Sequence, residues 1–329
     1  MERNPVFIYI IPSISVIGVF LNLLCFMIFK SSELKELLYK YLLAETFFNC
    51  INLFLQIFRP FTGLNLDSLT LLIQIYEFYL LDYLPSTLEM TSLILHLLSS
   101  FDFYFIISNH DKNQKFQFIS KLSYVKITLI IFTFSLLAFS YKFFQCEIRP
   151  IYMIEMGKNN SYVNDRFAYI TFRTDFSKNI IFKILDLFLV SFRDGFILLL
   201  IIILNGLIYM KVKDSLNKKQ SIFKKWKKNK SNNDINSSNN NNNNRVHIKI
   251  VVMLLITTIK FMIGRLPILF TFILSYVLNE PLSIFFSISC LSVFISNSFC
   301  FFFYLYFNKR FRNVFLVYKD VLIKLIRIK

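Results

Sequence analysis

Glycine, acidic residues and paired cysteines are scarce in this chain of 329 residues. Its 6 glycines are too few for the loops that cradle nucleotides, and it has no His-Glu-x-x-His segment. The histidines show no metal-ligand spacing, and the five scattered cysteines form no visible disulfide or zinc framework. These absences predict a protein that is not an enzyme and that has no cofactor or metal.

Apolar residues are abundant instead, since 55% of the residues are hydrophobic and 41 are Phe. A bilayer core requires about 20 consecutive, mainly apolar residues in a helix. Seven stretches meet this requirement, at about 7–29, 37–58, 70–107, 123–145, 180–210, 248–278 and 282–307. The sequence therefore predicts an all-α membrane protein, with a seven-transmembrane-helix bundle over 7–307 and a short extracellular N-terminus, 1–6.

The formal net charge of +17 could indicate nucleic acid, but its distribution indicates a membrane. Segments 30–40, 108–126, 211–249 and 308–329 together carry 25 Lys and Arg, while few lie on the opposite side of the spans. Because basic residues accumulate in cytoplasmic loops, these segments are predicted to face the cytosol and the N-terminus the exterior. The sequence thus predicts a multi-pass protein of the plasma membrane without a nucleic-acid partner.

Two basic segments are predicted to contact lipid or a partner. Segment 308–329 repeats apolar residues at three- and four-residue steps between basic ones, which is typical of an amphipathic helix on an anionic membrane surface. The Asn-rich loop at about 214–245 has little apolar surface to fold around and is predicted to be disordered. The Lys run in 211–230 is either an orientation signal attracted to lipid headgroups or a docking face for an acidic cytosolic protein.

Five short segments inside or at the ends of the spans form a recognisable series. Their positions are Gly18-Val-Phe-Leu-Asn22, Asn49, Asp102-Phe103-Tyr104, Phe261-Met-Ile-Gly-Arg265-Leu-Pro267, and Tyr304 seven residues before Phe311. In this order and spacing the chain resembles the rhodopsin-like (class A) G-protein-coupled receptors, in a divergent invertebrate form. The resemblance implies an extracellular ligand, a heterotrimeric G protein as partner, and activation or coupling roles for Asp102, Phe103, Tyr104, Pro267 and Tyr304. It implies structural roles for Asn22, Asn49 and Phe261.

The chain departs from the family's pattern at several of these positions. Phe103 replaces the arginine of Asp-Arg-Tyr, and Asn49 replaces a buried aspartate that belongs to the family's sodium site. Gly264 and Arg265 stand in place of Cys and Trp, and Cys300 and Phe301 in place of Asn and Pro. No cysteine lies between 51 and 145, so the family's bridge from span 3 cannot form.

Charged residues inside the spans are the remaining signal, because a charge within the bilayer is usually paired or functional. The candidates for the ligand pocket are Asp82, Glu89, Arg193, Asp194 and Arg265. The receptor fold would bring Glu89 and Arg265 together as a buried pair, and Glu45 and Lys260 as a second pair nearer the cytosol. Arg193 and Asp194, being adjacent, are expected to face different directions. Alternatively, these charges only form structural pairs.

Ligand and function remain open at this stage. The mixed charges favour a zwitterion or short peptide over a neutral odorant, and Asn159-Asn-Ser161 is a glycosylation sequon in an outer loop. Two rival functions are a multi-span channel or transporter, and a receptor-like binder that has lost coupling. Phe103 favours the second rival, while the absence of an evident repeat weakens the first.

Overall fold

The structure, a computed structural model, describes residues 5–34, 36–62, 70–108, 123–156, 162–229, 238–278 and 283–327. Its long helices in chain order are α1 (Val6–Phe29), α2 (Leu37–Ile57), α3 (71–108), α4 (Tyr124–Phe144), α5 (180–229), α6 (Ser238–Leu278), α7 (283–307) and α8 (Lys309–Arg327). Helix α3 consists of Leu71–Ile75, a π-helical stretch Tyr76–Tyr83, and Leu84–Ser108. Helix α5 likewise joins Ile180–Ser191 to Ile197–Asn229 through the π-helical turn Phe192–Phe196.

The first seven helices form a bundle, and the seven-helix architecture predicted from the sequence is confirmed. Helix α1 packs on α2 and α7, α3 on α2, α4 and α5, and α6 on α5 and α7. Large apolar side chains such as Val16, Phe20 and Phe270 remain exposed on the outside of the bundle. A surface of this kind is stable against lipid chains, and the protein is therefore a membrane protein.

Four helices within the described residues are long and apolar enough by themselves to cross a bilayer: Val6–Phe29, Tyr124–Phe144, Ile180–Asp214 and Val251–Ser275. Helix α7 is a fifth if its two parts, Ile284–Ser298 and Cys300–Phe307, are taken as one span bent by 41°. Helices α2 and α3 are less apolar because they contribute polar side chains to the interior of the bundle, among them Glu45, Asn49 and His96.

The loop between α4 and α5 contains a β-hairpin that the sequence analysis did not predict. Strands β1 (Cys146–Met156) and β2 (Tyr162–Arg173) pair antiparallel, with Cys146 opposite Arg173. The hairpin is attached to the N-terminal end of α3, where the Thr171 hydroxyl donates a hydrogen bond to the Gln74 side-chain oxygen at 2.6 Å. The predicted glycosylation site Asn159 lies outside the described residues.

The predicted disordered loop differs from the structure at both ends. Helix α5 extends to Asn229 and α6 begins at Ser238, while 230–237 lie outside the described residues. Because adding one residue to an existing helix is much easier than nucleating a new one, helices that begin in the bundle extend into polar sequence.

Helix α8 is the predicted basic amphipathic helix, and it packs against the C-terminal ends of α1 and α7. Phe311 is fully buried, and its ring lies 5.1 Å from that of Phe29 and 5.7 Å from that of Tyr304. Arg310 donates a hydrogen bond to the Glu36 carboxylate, which raises the pKa of the Arg310 guanidinium. These contacts hold the end of α7 against α1 and against the loop that follows α1.

Candidate functional site

Three helices carry four buried charges to one place in the bundle. Glu89 belongs to α3, Arg193 and Asp194 to the π-helical turn of α5, and Arg265 to α6, two residues before Pro267. The wider turn of a π-helix shifts the faces of the residues that follow and is frequent at functional sites. We refer to Glu89, Arg193, Asp194 and Arg265 as the four-charge cluster.

Each acidic group of the four-charge cluster contacts both arginines. The Arg265 Nη1 atom lies 2.6 Å from Glu89 Oε2 and 3.4 Å from Asp194 Oδ1. Arg193 donates to both Asp194 oxygens, at 2.9 and 2.5 Å, and lies 3.6 Å from Glu89 Oε2. The Asn52 amide of α2 donates to Glu89 Oε1 at 3.3 Å. Two positive and two negative groups thus balance one another, and the expected Glu89–Arg265 pair is present.

The cluster is almost completely shielded from solvent. The Asp194 side chain is 0% exposed, Arg265 3%, Arg193 7% and Glu89 11%. Burying an isolated charge is expensive, and a mutual network of charge-assisted hydrogen bonds offsets that penalty. Glu89 is the most accessible of the four side chains.

Arg193 and Asp194 do not face different directions as expected. The arginine side chain is long enough to curl back onto its neighbour, and the apolar surroundings favour the nearest carboxylate as its partner. The Arg193 guanidinium also lies 5.7 Å from the centre of the Phe139 ring, which covers it from the side of α4.

Asp82 is not part of this cluster. Its carboxylate lies 2.8 Å from Lys142 Nζ at the end of α4, and half of its side chain is exposed. The π-helical stretch of α3 presents Asp82 to α4, whereas Glu89, two turns further along the helix, faces the bundle centre. The structure therefore separates this residue from the other pocket candidates.

The expected Glu45–Lys260 pair is wrong. Glu45 Oε2 lies 3.1 Å from His96 Nδ1, and Lys260 Nζ lies 2.8 Å from Cys300 Sγ and over the Phe261 ring. His96 on α3 is closer to Glu45 than the lysine of α6 is, and its ring is held edge-on against Phe261 at 4.7 Å between ring centres. A histidine contact across α2 and α3 thus replaces the predicted lysine contact.

The residues with implied structural roles are buried between helices. Asn22 Nδ2 donates to the carbonyl oxygens of Gly18 and, in α7, Asn297, at 2.8 and 3.0 Å. Asn49 Oδ1 accepts from the Ser92 hydroxyl of α3 at 3.1 Å. Phe261 packs against His96 and the apolar residues of α5. These contacts join α1 to α7, α2 to α3, and α6 to both α3 and α5.

The motif at the inner end of α3 presents a different surface from that of an Asp-Arg-Tyr sequence. Phe103 is 2% exposed and belongs to the apolar core formed by the inner ends of the helices, together with Tyr304. Asp102 Oδ2 is buried and has no hydrogen-bond partner among the described residues. Tyr104 lies under Lys211 of α5, with 5.5 Å between the ammonium nitrogen and the ring centre.

Pro267 lies inside α6, two residues after Arg265 of the four-charge cluster. Proline removes one helical hydrogen bond and weakens the helix at that point. The Thr271 hydroxyl donates to the Pro267 carbonyl at 2.8 Å and lies 2.8 Å from the Ser289 hydroxyl, which joins this part of α6 to α7.

Sequence reasoning missed two features of the structure, the Asn52 contact with Glu89 and the attachment of the hairpin to α3. Asn52 supplies a neutral donor to Glu89, and its only sequence signal was its place one turn after Asn49. In the hairpin, Cys146 is a free thiol whose pKa is raised by burial, and the Gln74–Thr171 hydrogen bond ties the hairpin to α3. In the described part of the chain, no three His, Cys, Asp or Glu side chains are arranged to hold a metal ion.

Comparison with known proteins shows that the helix bundle has a known fold. No family model matches the sequence, and no curated protein matches it. The crystal structure of squid rhodopsin is similar to this chain with a TM-score of 0.64 at 13% identity, over 98% of this chain and 88% of the rhodopsin chain. A likeness at this identity establishes the fold and not the activity. The chain therefore has the seven-helix fold of the rhodopsin-like receptors.

Proposed function

We propose that the protein is a G-protein-coupled receptor that binds an extracellular ligand within the helix bundle. The observation that carries this proposal is the four-charge cluster, which joins α3, α5 and α6 inside a rhodopsin-like fold. Charges buried at membrane depth are expensive and are usually retained for function. The ligand is a peptide or a small chemosensory molecule.

The cluster provides a physical route from ligand to signal. A ligand shifts a conformational equilibrium only if it contacts the two states differently. A molecule that exchanges contacts with Glu89 or Arg265 changes the tie between α3 and α6. Helix α6 then pivots at Pro267, and its inner end moves relative to α3.

The proposed orientation places the N-terminus outside the plasma membrane and α8 on the cytosolic lipid surface. The basic excess of segments 30–40, 108–126, 211–249 and 308–329 supports this orientation. In it, segments 108–126 and 211–249 lie on the face that engages the G protein. Asn159 lies on the outer face as a glycosylation site.

A second candidate function, ligand binding without G-protein coupling, is favoured by Phe103. This residue is buried in the inner apolar core at a position where the resemblance leads one to expect arginine. Under that candidate, the chain binds its ligand but leaves the nucleotide on the G protein unchanged.

Phe103→Arg distinguishes the two candidates. We expect the parent chain, exposed to a panel of peptides and small molecules, to activate a G protein in cells that carry subunit-dissociation sensors for each G-protein class. We expect Phe103→Arg to lower surface expression, because the arginine charge enters a 2% exposed apolar position, where pairing with the neighbouring Asp102 carboxylate offsets only part of the burial penalty. Activation by Phe103→Arg and none by an equally expressed parent would establish the non-coupling candidate instead.

A further inference from the structure

We infer that the ligand of the four-charge cluster is a zwitterion in which the ammonium and the carboxylate are adjacent, as in an α-amino acid. The inference rests on the proposed function and adds the chemical class of the ligand. It follows from three observations: the cluster has no net charge, the Glu89–Arg265 pair joins α3 to α6 through one contact, and both residues keep other partners when this contact opens.

The cluster has no net charge, because Glu89 and Asp194 balance Arg193 and Arg265. A ligand with a single positive charge would bind Glu89 and leave two arginines to share Asp194. A ligand with a single negative charge would bind Arg265 and leave two carboxylates to share Arg193. Only a ligand with one charge of each sign opens the cluster and leaves every buried charge balanced.

The pair that such a ligand opens is Glu89–Arg265. The other strong pair, Arg193–Asp194, lies within one helical turn of α5 and is held by two hydrogen bonds, at 2.9 and 2.5 Å. The Glu89–Arg265 pair crosses from α3 to α6 through a single contact of 2.6 Å, and Glu89 is the most exposed of the four side chains. The Glu89–Arg265 contact is thus the easier of the two pairs to open, and opening it releases α6 from α3.

Each member of the opened pair keeps a second contact that holds it in position. Glu89 retains Asn52 at 3.3 Å and Arg193 at 3.6 Å, and Arg265 retains Asp194 at 3.4 Å. These contacts hold the carboxylate on α3 and the guanidinium on α6 in position, so that a ligand ammonium binds Glu89 and a ligand carboxylate binds Arg265.

The spacing of the pair limits the size of the ligand. Glu89 Oε2 and Arg265 Nη1 are 2.6 Å apart, so any inserted ligand must move the two groups apart, and a ligand whose opposite charges are adjacent requires the smallest displacement. One carbon separates the ammonium and the carboxylate in an α-amino acid. Each further residue in a peptide increases the distance between its charged termini by up to about 3.5 Å, so a peptide requires a wider opening and fits less well.

The test uses the purified full-length chain and a panel of L-α-amino acids, each with its decarboxylated amine, its deaminated acid and its homodipeptide. Binding is measured as the ligand-dependent shift in melting temperature. For at least one side chain, the amino acid is expected to bind more tightly than its amine, acid and dipeptide by about tenfold or more, the factor for one charge-assisted hydrogen bond.

Charge-neutral variants then test the role of the pair. Glu89→Gln leaves the cluster with a net positive charge and is expected to bind the acid best, whereas Arg265→Gln is expected to bind the amine best. The double variant Glu89→Gln/Arg265→Gln restores the balance, so it folds even if a single variant does not, and it should lose the preference for the amino acid. Asp82→Asn, whose partner is Lys142, should keep the parental preference.

Equal binding of amine, acid and amino acid by the parent, tighter binding of the dipeptide, or an unchanged preference in the double variant would overturn the inference. Signalling is measured separately on the same variants with the G-protein sensors. A parent that signals but shows no preference for zwitterions retains the proposed function and loses this ligand class. A parent that prefers zwitterions but never signals supports the ligand class and contradicts the proposed coupling.

Discussion

Asp194→Asn is expected to lower the free energy of unfolding by about 3–5 kcal/mol, the usual effect of removing one partner from a buried charge pair. The Asp194 side chain is 0% exposed and contacts both Arg193 and Arg265. Without its charge, two buried guanidiniums share the single carboxylate of Glu89. The measurement is the stability of the purified chain in detergent, followed by its melting temperature or by unfolding in denaturing detergent.

The matched control for Asp194→Asn is Asp82→Asn, the same chemical change at a half-exposed carboxylate on α3. Asp82 is half exposed, and Lys142 keeps the Ser86 hydroxyl at 3.2 Å as a second acceptor, so this variant should lose much less stability than Asp194→Asn. A double variant, Asp194→Asn with Arg193→Gln, removes one charge of each sign and should recover part of the lost stability. Equal melting of Asp194→Asn and Asp82→Asn would contradict the described network.

Gly18→Ala is expected to destabilise the bundle by about 1–3 kcal/mol, the usual effect of overpacking a well-filled interior. A Cβ atom at this position would lie 2.2 Å from Ser298 Oγ, 2.8 Å from Ser298 Cβ and 2.9 Å from Leu53 Cδ1. Helix α1 must therefore move away from α7 and α2. That movement also stretches the hydrogen bond from Asn22 to the Asn297 carbonyl, now 3.0 Å long.

Gly206 in α5 provides the control, because a Cβ atom there would meet nothing within 4 Å. Gly206→Ala should be neutral or stabilising by about 0.5–1 kcal/mol, since alanine loses less backbone entropy than glycine on forming a helix. Melting temperatures of the two variants give the comparison. A Gly18→Ala chain at least as stable as Gly206→Ala would show that α1 does not pack this closely on α7.

The helices were predictable because the bilayer imposes a simple length and polarity rule on each span. The Glu89–Arg265 pair was predictable for a related reason: unpaired charges are expensive at membrane depth, and the resemblance placed the two residues at facing levels of α3 and α6. The first prediction depends on each span alone, whereas the second also depends on the relative positions of α3 and α6, which the resemblance supplied.

The remaining contacts depend on which of several possible partners lies nearest in the folded chain, and the sequence alone does not give the distances between them. Glu45 could pair with Lys260 or with His96, and only the packing of α2 on α3 selects His96. Arg193 turned back to Asp194 through a π-helical turn that has no simple sequence signal. The β-hairpin is likewise stabilised by pairing between two strands and by the Thr171–Gln74 contact, which are both tertiary.

The proposed function requires the tie between α3 and α6 to hold the receptor in its inactive arrangement until ligand binds. The most direct test measures exchange of a GTP analogue on a purified heterotrimeric G protein, with the chain reconstituted in lipid nanodiscs and no ligand added. Glu89→Gln/Arg265→Gln should exchange nucleotide faster than the parent, by about tenfold for each 1.4 kcal/mol that the pair contributes to the inactive state. Equal exchange by parent and variant, with both chains folded, would contradict the account.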